Sequence, residues 1–283
     1  MNTPILSSDL RAWIWQQAKS GRSPQAVVER LLASGWDEQS AIDTVEDVVR
    51  EFLAEHARQN DLPLPVRVPA PTALNDAAVI DAGDRSVHVL ASVLHPRIVV
   101  FGGLLAGDEC DALIALGRDR LMRSNVVNPE SGHDEVHAGR TSEGASLQRG
   151  ANALCRRIED RFARLLEWPV ENGEGLQILR YAAGAEYRPH HDYFDPAHPG
   201  MKSIVARGGQ RVASLVLYLS TPARGGATTF PEAGLEVAAI KGNAVFFTYD
   251  RPHPMTRTLH GGAPVLEGEK WVATKWLRER RHE

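Results

Sequence analysis

Cysteine is scarce in this chain, with only Cys110 and Cys155 among 283 residues. Two thiols, each set among charged neighbours in a helical-looking context, make no disulfide framework. They point to a reducing, cytoplasmic setting. Long hydrophobic runs are missing as well, so no segment is expected to span a bilayer. The first residues carry Asp9 and lack the apolar stretch of a secretory leader. An excess of charge of one sign is also missing. The 32 basic and 36 acidic residues give a net charge of −4 and a pI near 6.3. No general electrostatic pull toward nucleic acid or an acidic membrane follows from that balance. What remains is ordinary globular composition, 43% hydrophobic, in a length that suits one large domain plus a small one.

The small domain comes first, over residues 1–58. A helix is expected from Ser8 to Ala18, stopping before Gly21. Ser23-Pro24 then supplies an N-cap followed by proline at the first helical position. Val27, Val28, Leu31 and Leu32 form one apolar face, and Gly35 offers a stop. Asp37 caps a third helix with Ile42, Val45, Val49, Phe52 and Leu53 at helical spacing. Three such helices close a small bundle. The run Leu32-Ala-Ser-Gly-Trp36 followed by Ala41-Ile42 is similar to ubiquitin-associated-type modules. Its expected role is accessory, through packing, dimer formation or recruitment of a protein partner.

Residues 59–90 read as a linker, with four prolines between Pro63 and Pro71 favouring extended, semi-rigid chain. The large domain is expected over 91–283. Pro96 to Phe101 reads as a strand, and Gly107-Asp108-Glu109 opens a helix carrying Cys110, Leu113, Ile114 and Leu116. Val126 to His133 holds a turn between extended runs. Its His133 and the nearby His137 lie in a polar, solvated stretch. A helical pattern covers 146–167 through Leu147, Leu154, Ile158, Phe162, Leu165 and Leu166, until Pro169 ends it. Short apolar runs at 176–181, 212–220, 236–240, 243–249 and 270–277 alternate with Gly/Pro turns. That spacing marks an all-β sandwich or barrel.

The chemistry concentrates in Tyr181-Ala-Ala-Gly-Ala-Glu-Tyr-Arg-Pro-His190-His-Asp192. Residues two apart on a strand share a face, so His190 and Asp192 project together while His191 points away. With one further imidazole they make a two-histidine, one-carboxylate facial triad, the ligand set suited to Fe(II) oxygenases. Among the downstream histidines, His198 is too close in a Pro/Gly loop, His253 sits between prolines, and His282 is nearly terminal. His260 leads, after a turn, into the good strand Lys270 to Leu277 and is the expected third ligand. Lys270, ten residues on, offers a cation for the far carboxylate of a dicarboxylic co-substrate.

At these positions the chain resembles the prolyl 4-hydroxylases, a branch of the Fe(II)/2-oxoglutarate dioxygenases. The resemblance runs over roughly residues 95–280. It rests on Tyr181 to Asp192, Gly208-Gly-Gln-Arg211, Leu217-Tyr-Leu-Ser220, Gly225-Gly-Ala-Thr-Thr-Phe-Pro231, Lys241 to Phe247, and His260 to Leu277. It implies a double-stranded β-helix, or jelly-roll, with supporting helices and a metal in its mouth. It also implies Fe(II), 2-oxoglutarate and O2 as co-reactants, ascorbate as a candidate reductant, and release of succinate and CO2 as a prolyl residue of a peptide or protein is hydroxylated. By the same resemblance Lys270, Tyr181 and Thr229 contact 2-oxoglutarate.

Arg211, Tyr187, Arg140 and Trp276 match positions that shape the substrate groove. For Arg211 a rim ion pair is the competing reading, and for Trp276 it is core packing. Where collagen-type members commonly carry a histidine after the second Lys-Trp, this chain has Leu277-Arg278, and collagen is not the expected substrate. Two other functions stay open at this point: oxidation of a free amino acid or other small molecule, and a metal- or oxygen-responsive binding module without turnover.

Overall fold

The computed structural model describes residues 7–71, 77–128, 130–136 and 139–282, and His137 lies outside them. The chain divides into two units, Met1–Pro65 and Val66–Glu283. In the first, helices run over Ser8–Lys19, Pro24–Ala33 and Glu38–Gln59. Each begins where a side-chain oxygen satisfies an orphan backbone N–H. Ser7 accepts from Leu10 at 3.2 Å, Ser23 from Ala26 at 3.2 Å, and Asp37 from Ser40 at 3.0 Å. Ile14, Val27, Val28, Leu31, Ala41, Val45 and Val48 close the core of this bundle. Leu32, expected on the apolar face, is 36% exposed.

In the second unit, alternation along the strands decides what each face does. A nine-stranded antiparallel sheet runs Val79–Asp81, Ser86–Val93, Ile98–Gly102, Ala244–Thr248, Arg211–Tyr218, Lys270–Arg278, Leu176–Tyr181, Glu143–Leu147, Met122–Arg123. A four-stranded sheet runs Leu235–Val237, Thr228–Phe230, His260–Gly262, Tyr187–His190. On the Lys270–Arg278 strand, Trp271, Ala273 and Leu277 join the core that backs onto helices Gly107–Arg118 and Ala153–Leu166, with Cys110, Leu113, Ile158, Phe162 and Leu165. The other parity, Lys270, Val272, Thr274 and Trp276, faces a cavity. The second core, containing Leu179, Tyr181, Tyr218, Phe230, Val245, Phe247 and Val272, fills the space on that side. This is the jelly-roll with supporting helices that the strand spacing and the resemblance imply.

Two boundaries differ from the sequence reading. The stretch 59–90 is not linker throughout: Val79–Asp81 and Ser86–Val93 form a hairpin at one end of the large sheet. Further upstream, Val66 N–H donates to Asp250 O and Ala70 N–H to Leu166 O, so the stretch from Val66 on is tied to the rest of the second unit. The pattern over 146–167 also splits. Leu147 ends a strand paired with Leu176–Tyr181, and the helix starts only after Asn152, whose side chain accepts from Cys155 N–H at 2.8 Å. Gly150, at φ +66°, makes the turn between them.

Candidate active site

Two paired strands, Tyr187–His190 and His260–Gly262, deliver the three donor side chains. His260 pairs directly with His190 across the small sheet, which brings the two rings to 4.4 Å between centroids. Asp192 follows two residues after His190, just past the strand end, and is 8% exposed. Nε2 of His190 lies 3.6 Å from Asp192 Oδ1, and Nε2 of His260 lies 3.4 Å from Oδ2. Two donors bound at about 2.1 Å and at right angles around one ion lie about 3.0 Å apart, so small adjustments bring these atoms onto a common centre. Among the described residues this is the one group of three such side chains with ligand atoms converging, all within 4.8 Å.

The donor chemistry matches that geometry. Nδ1 of His190 donates to Arg188 O at 2.9 Å, and Nδ1 of His260 donates to Thr258 O at 3.0 Å. Each Nε2 lone pair is therefore left facing the centre. Burial pushes His260 down to about 4, against the pull of Asp192, which keeps the ring neutral. Burial also opposes ionisation of Asp192, yet its carboxyl is held far below the usual range by His260 and His190 whenever either ring carries a second proton, and by the Arg211 charge. His191 points elsewhere, stacked on Tyr193 at 4.7 Å.

Beside this cluster lies a buried, unmatched cation. Lys270 is 3% exposed, and burial alone pushes it down to about 8. Among the described residues no carboxylate pairs with it. Its Nζ stands 5.5 Å from the Tyr181 ring and 5.8 Å from that of Tyr218. The cavity containing Lys270 is also lined by His190, Asp192, His260, Tyr181 and Thr228. A buried ammonium without a counter-charge, next to three metal-type donors, fits an anion that reaches from the ion to the lysine.

A scan against family models matches residues 176–278 to the 2OG-Fe(II) oxygenase superfamily. Prolyl 4-hydroxylase 2 of Arabidopsis thaliana is 40% identical over 207 residues, covering 64% of this chain and 67% of that protein. The chain belongs to the prolyl 4-hydroxylase family of 2OG-Fe(II) oxygenases. Prolyl 4-hydroxylase 1 of the same plant is 37% identical over 224 residues, 72% of this chain and 76% of its own. Among solved structures, a viral collagen prolyl hydroxylase from Paramecium bursaria Chlorella virus-1, as its 2OG complex, aligns with a TM-score of 0.50. It is 29% identical, covering 64% of this chain and 95% of that one. The cofactors of this oxygenase are Fe(II), 2-oxoglutarate and O2. The donor set and the unmatched Lys270 are the residues that fit the first two.

The remaining expected site residues fall in different places. Arg140, Tyr187 and His190 form a stack, with the guanidinium 4.8 Å from the tyrosine ring and that ring 3.7 Å from the imidazole. Arg140 Nη2 also donates to Gln177 Oε1 at 2.9 Å. Trp276 lines the cavity, and its indole N–H is buried without a hydrogen-bond partner among the described residues. Thr229 does not line the cavity; Thr228 does. One residue along a strand changes face, and Thr229 Oγ1 turns instead to Gly261 O at 3.5 Å.

Arg211 is not an open rim residue. Its Nε and Nη2 donate to the two oxygens of Glu174 at 2.7 and 2.9 Å. Its plane packs 4.0 Å from the Trp276 ring. Arg278 donates from Nη1 to Gly209 O at 2.7 Å and sits 2.9 Å from Glu174. Glu174, Ser214 and Tyr249 escaped the sequence reading. The available signal was a polar residue on the inward parity of an apolar strand, which Ser214 satisfies.

Proposed function

We propose that this oxygenase hydroxylates a prolyl residue within a peptide or protein segment. One observation carries the reading: a single cavity holds His190, Asp192 and His260 beside the unpaired Lys270, with Arg140, Tyr187 and Trp276 on the same wall. The names of the relatives at 37–40% identity support proline as the target. When bound, Fe(II) with 2-oxoglutarate and O2 supplies the power to hydroxylate a C–H bond, leaving succinate and CO2.

The chain's own residues do the positioning. Lys270 holds the far carboxylate of 2-oxoglutarate, and the buried hydroxyl of Tyr181, paired opposite it, completes that end of the pocket. Leu179, Val216 and Val272 line it with hydrocarbon and exclude water. On the substrate side, Trp276 offers an unused indole donor to a peptide carbonyl, and Tyr187 offers an aromatic face to a pyrrolidine ring. Arg211 supports Trp276 from beneath. Ascorbate as reductant and a cytoplasmic setting belong to the same proposal, the latter consistent with the buried thiols Cys110 and Cys155. The three-helix bundle is the proposed seat of a protein partner.

The test is mass spectrometry of proline-containing peptides and of free proline after incubation with Fe(II) and 2-oxoglutarate. Gain of one oxygen on a peptidyl proline supports the proposal. Oxidation of free proline alone would overturn it in favour of a small-molecule substrate.

A further inference from the structure

The two oxygens of the Asp192 carboxylate have different partners. Oδ2 accepts from Ser214 Oγ at 2.5 Å, and Ser214 Oγ lies 2.9 Å from the Tyr249 hydroxyl. An ionised carboxylate can only accept, so the serine proton points to Asp192 and Tyr249 must donate to the serine. Ser214 is 0% and Tyr249 1% exposed, so water does not compete for these bonds. Burial, with the Asp192 charge nearby, holds the Tyr249 phenol well above its ordinary value, and the chain of donors keeps its protons. Strand register fixes the geometry: Ser214 pairs with Phe247 on one side and Trp276 on the other, and Tyr249 follows one residue after the neighbouring strand ends.

We propose that Tyr249 and Ser214 form a positioning relay that restrains Asp192 to one-oxygen coordination. An octahedral ion held by two histidines and one carboxylate oxygen keeps a whole face open. A carboxylate turned to chelate with both oxygens closes part of that face. A chelating 2-oxo acid and dioxygen together need all of it. Oδ2 lies 3.4 Å from His260 Nε2 but accepts the serine proton, whereas Oδ1, 3.6 Å from His190 Nε2, takes no hydroxyl among the described residues and is left as the ligand atom. Neither Ser214 nor Tyr249 lines the cavity, so both act through Asp192 and not on substrate.

The inference rests on the iron and 2-oxoglutarate reading of the site, and the experiment separates the two. Full-length wild type, Ser214→Ala, Tyr249→Phe and Ser214→Thr are loaded with Mn(II), which binds without turnover. Calorimetry follows the Mn(II) step and then the 2-oxoglutarate step. Loss of a partner that orients a metal ligand costs about tenfold or more. The relay predicts that loss in the second step: 2-oxoglutarate binds about tenfold more weakly in Ser214→Ala, less severely so in Tyr249→Phe, and near wild type in Ser214→Thr. Mn(II) affinity holds or rises as the freed oxygen turns to the ion.

A 2-oxoglutarate affinity unchanged in Ser214→Ala, or one that only tracks a loss of Mn(II), overturns the relay. If Ser214→Ala does not fold, Tyr249→Phe, which deletes a single oxygen, decides by the same comparison. Wild type that binds neither Mn(II) nor 2-oxoglutarate removes the site reading itself, and the relay with it.

Discussion

Lys270 pairs with Tyr181 across two adjacent antiparallel strands, and its ammonium stands 5.5 Å from that ring with no carboxylate partner among the described residues. A charge so placed destabilises the ligand-free fold and is stabilised when an anion arrives. Lys270→Met should therefore have opposite effects on two quantities. The variant should melt at a higher temperature than wild type without ligand, because the buried charge is gone. It should bind 2-oxoglutarate weaker by about 3 kcal/mol, roughly a hundredfold. Thermal unfolding and calorimetry on the same preparations check both.

The same lysine sets a pH dependence. Its folded value is lowered to about 8, against about 10.4 for a free lysine. Between these the unfolded chain binds more protons than the folded one, so this group's contribution to the ligand-free fold becomes more favourable as pH rises. The cost of burying the charge is complete below pH 8 and vanishes above the unfolded value. Affinity for 2-oxoglutarate should run the other way, falling above about pH 8 as the ammonium deprotonates. A wild-type titration from pH 7 to 10 tests this, and a flat profile would contradict Lys270 as the anchor.

Glu174 joins two arginines beneath the substrate wall. It lies half-buried between Arg211 and Arg278. Burial alone would raise its carboxyl, but Arg211 holds it below the ordinary value. Glu174→Gln leaves the buried Arg278 and the half-buried Arg211 without their counter-charge, a loss of about 3 kcal/mol. Chemical denaturation should show it as a lower midpoint with an unchanged slope.

Thr228 and Thr229 offer a test of register. Thr228 accepts from the Tyr218 hydroxyl at 2.9 Å, and Tyr218 is 0% exposed. Thr228→Val should leave that hydroxyl buried and unsatisfied, costing about 1–3 kcal/mol, and should change the cavity wall. Thr229→Val should leave 2-oxoglutarate affinity close to wild type. Equal effects at the two positions would contradict the strand register.

Much of this site is legible in the sequence because strand parity is a short-range rule. His190 and Asp192, two apart, fall on one side as their spacing implies, and Lys270 and Trp276, expected from the resemblance, line the same cavity. The third ligand required long-range pairing, and elimination among the downstream histidines led to the residue that lies opposite His190. Spacing failed where one residue decides the face, as with Thr229 for Thr228. It also failed where a charge finds a partner far along the chain. Nothing local tells Arg211 that Glu174, 37 residues upstream, will take both prongs of its fork. Composition misled at 79–90, where the linker reading was carried past the prolines of 63–71 but backbone pairing to Ile98–Gly102 recruits Ser86–Val93 into the sheet.

The proposed reaction is hydroxylation of peptidyl proline at the centre formed by His190, Asp192 and His260. Succinate release from 2-oxoglutarate under air, with Fe(II) and with or without proline-containing peptides, tests it most directly in wild type and His260→Ala. The account predicts peptide-stimulated succinate in wild type and its loss in the variant. Succinate formation in His260→Ala equal to wild type, or a metal-loaded wild type that forms none with any peptide, would contradict it.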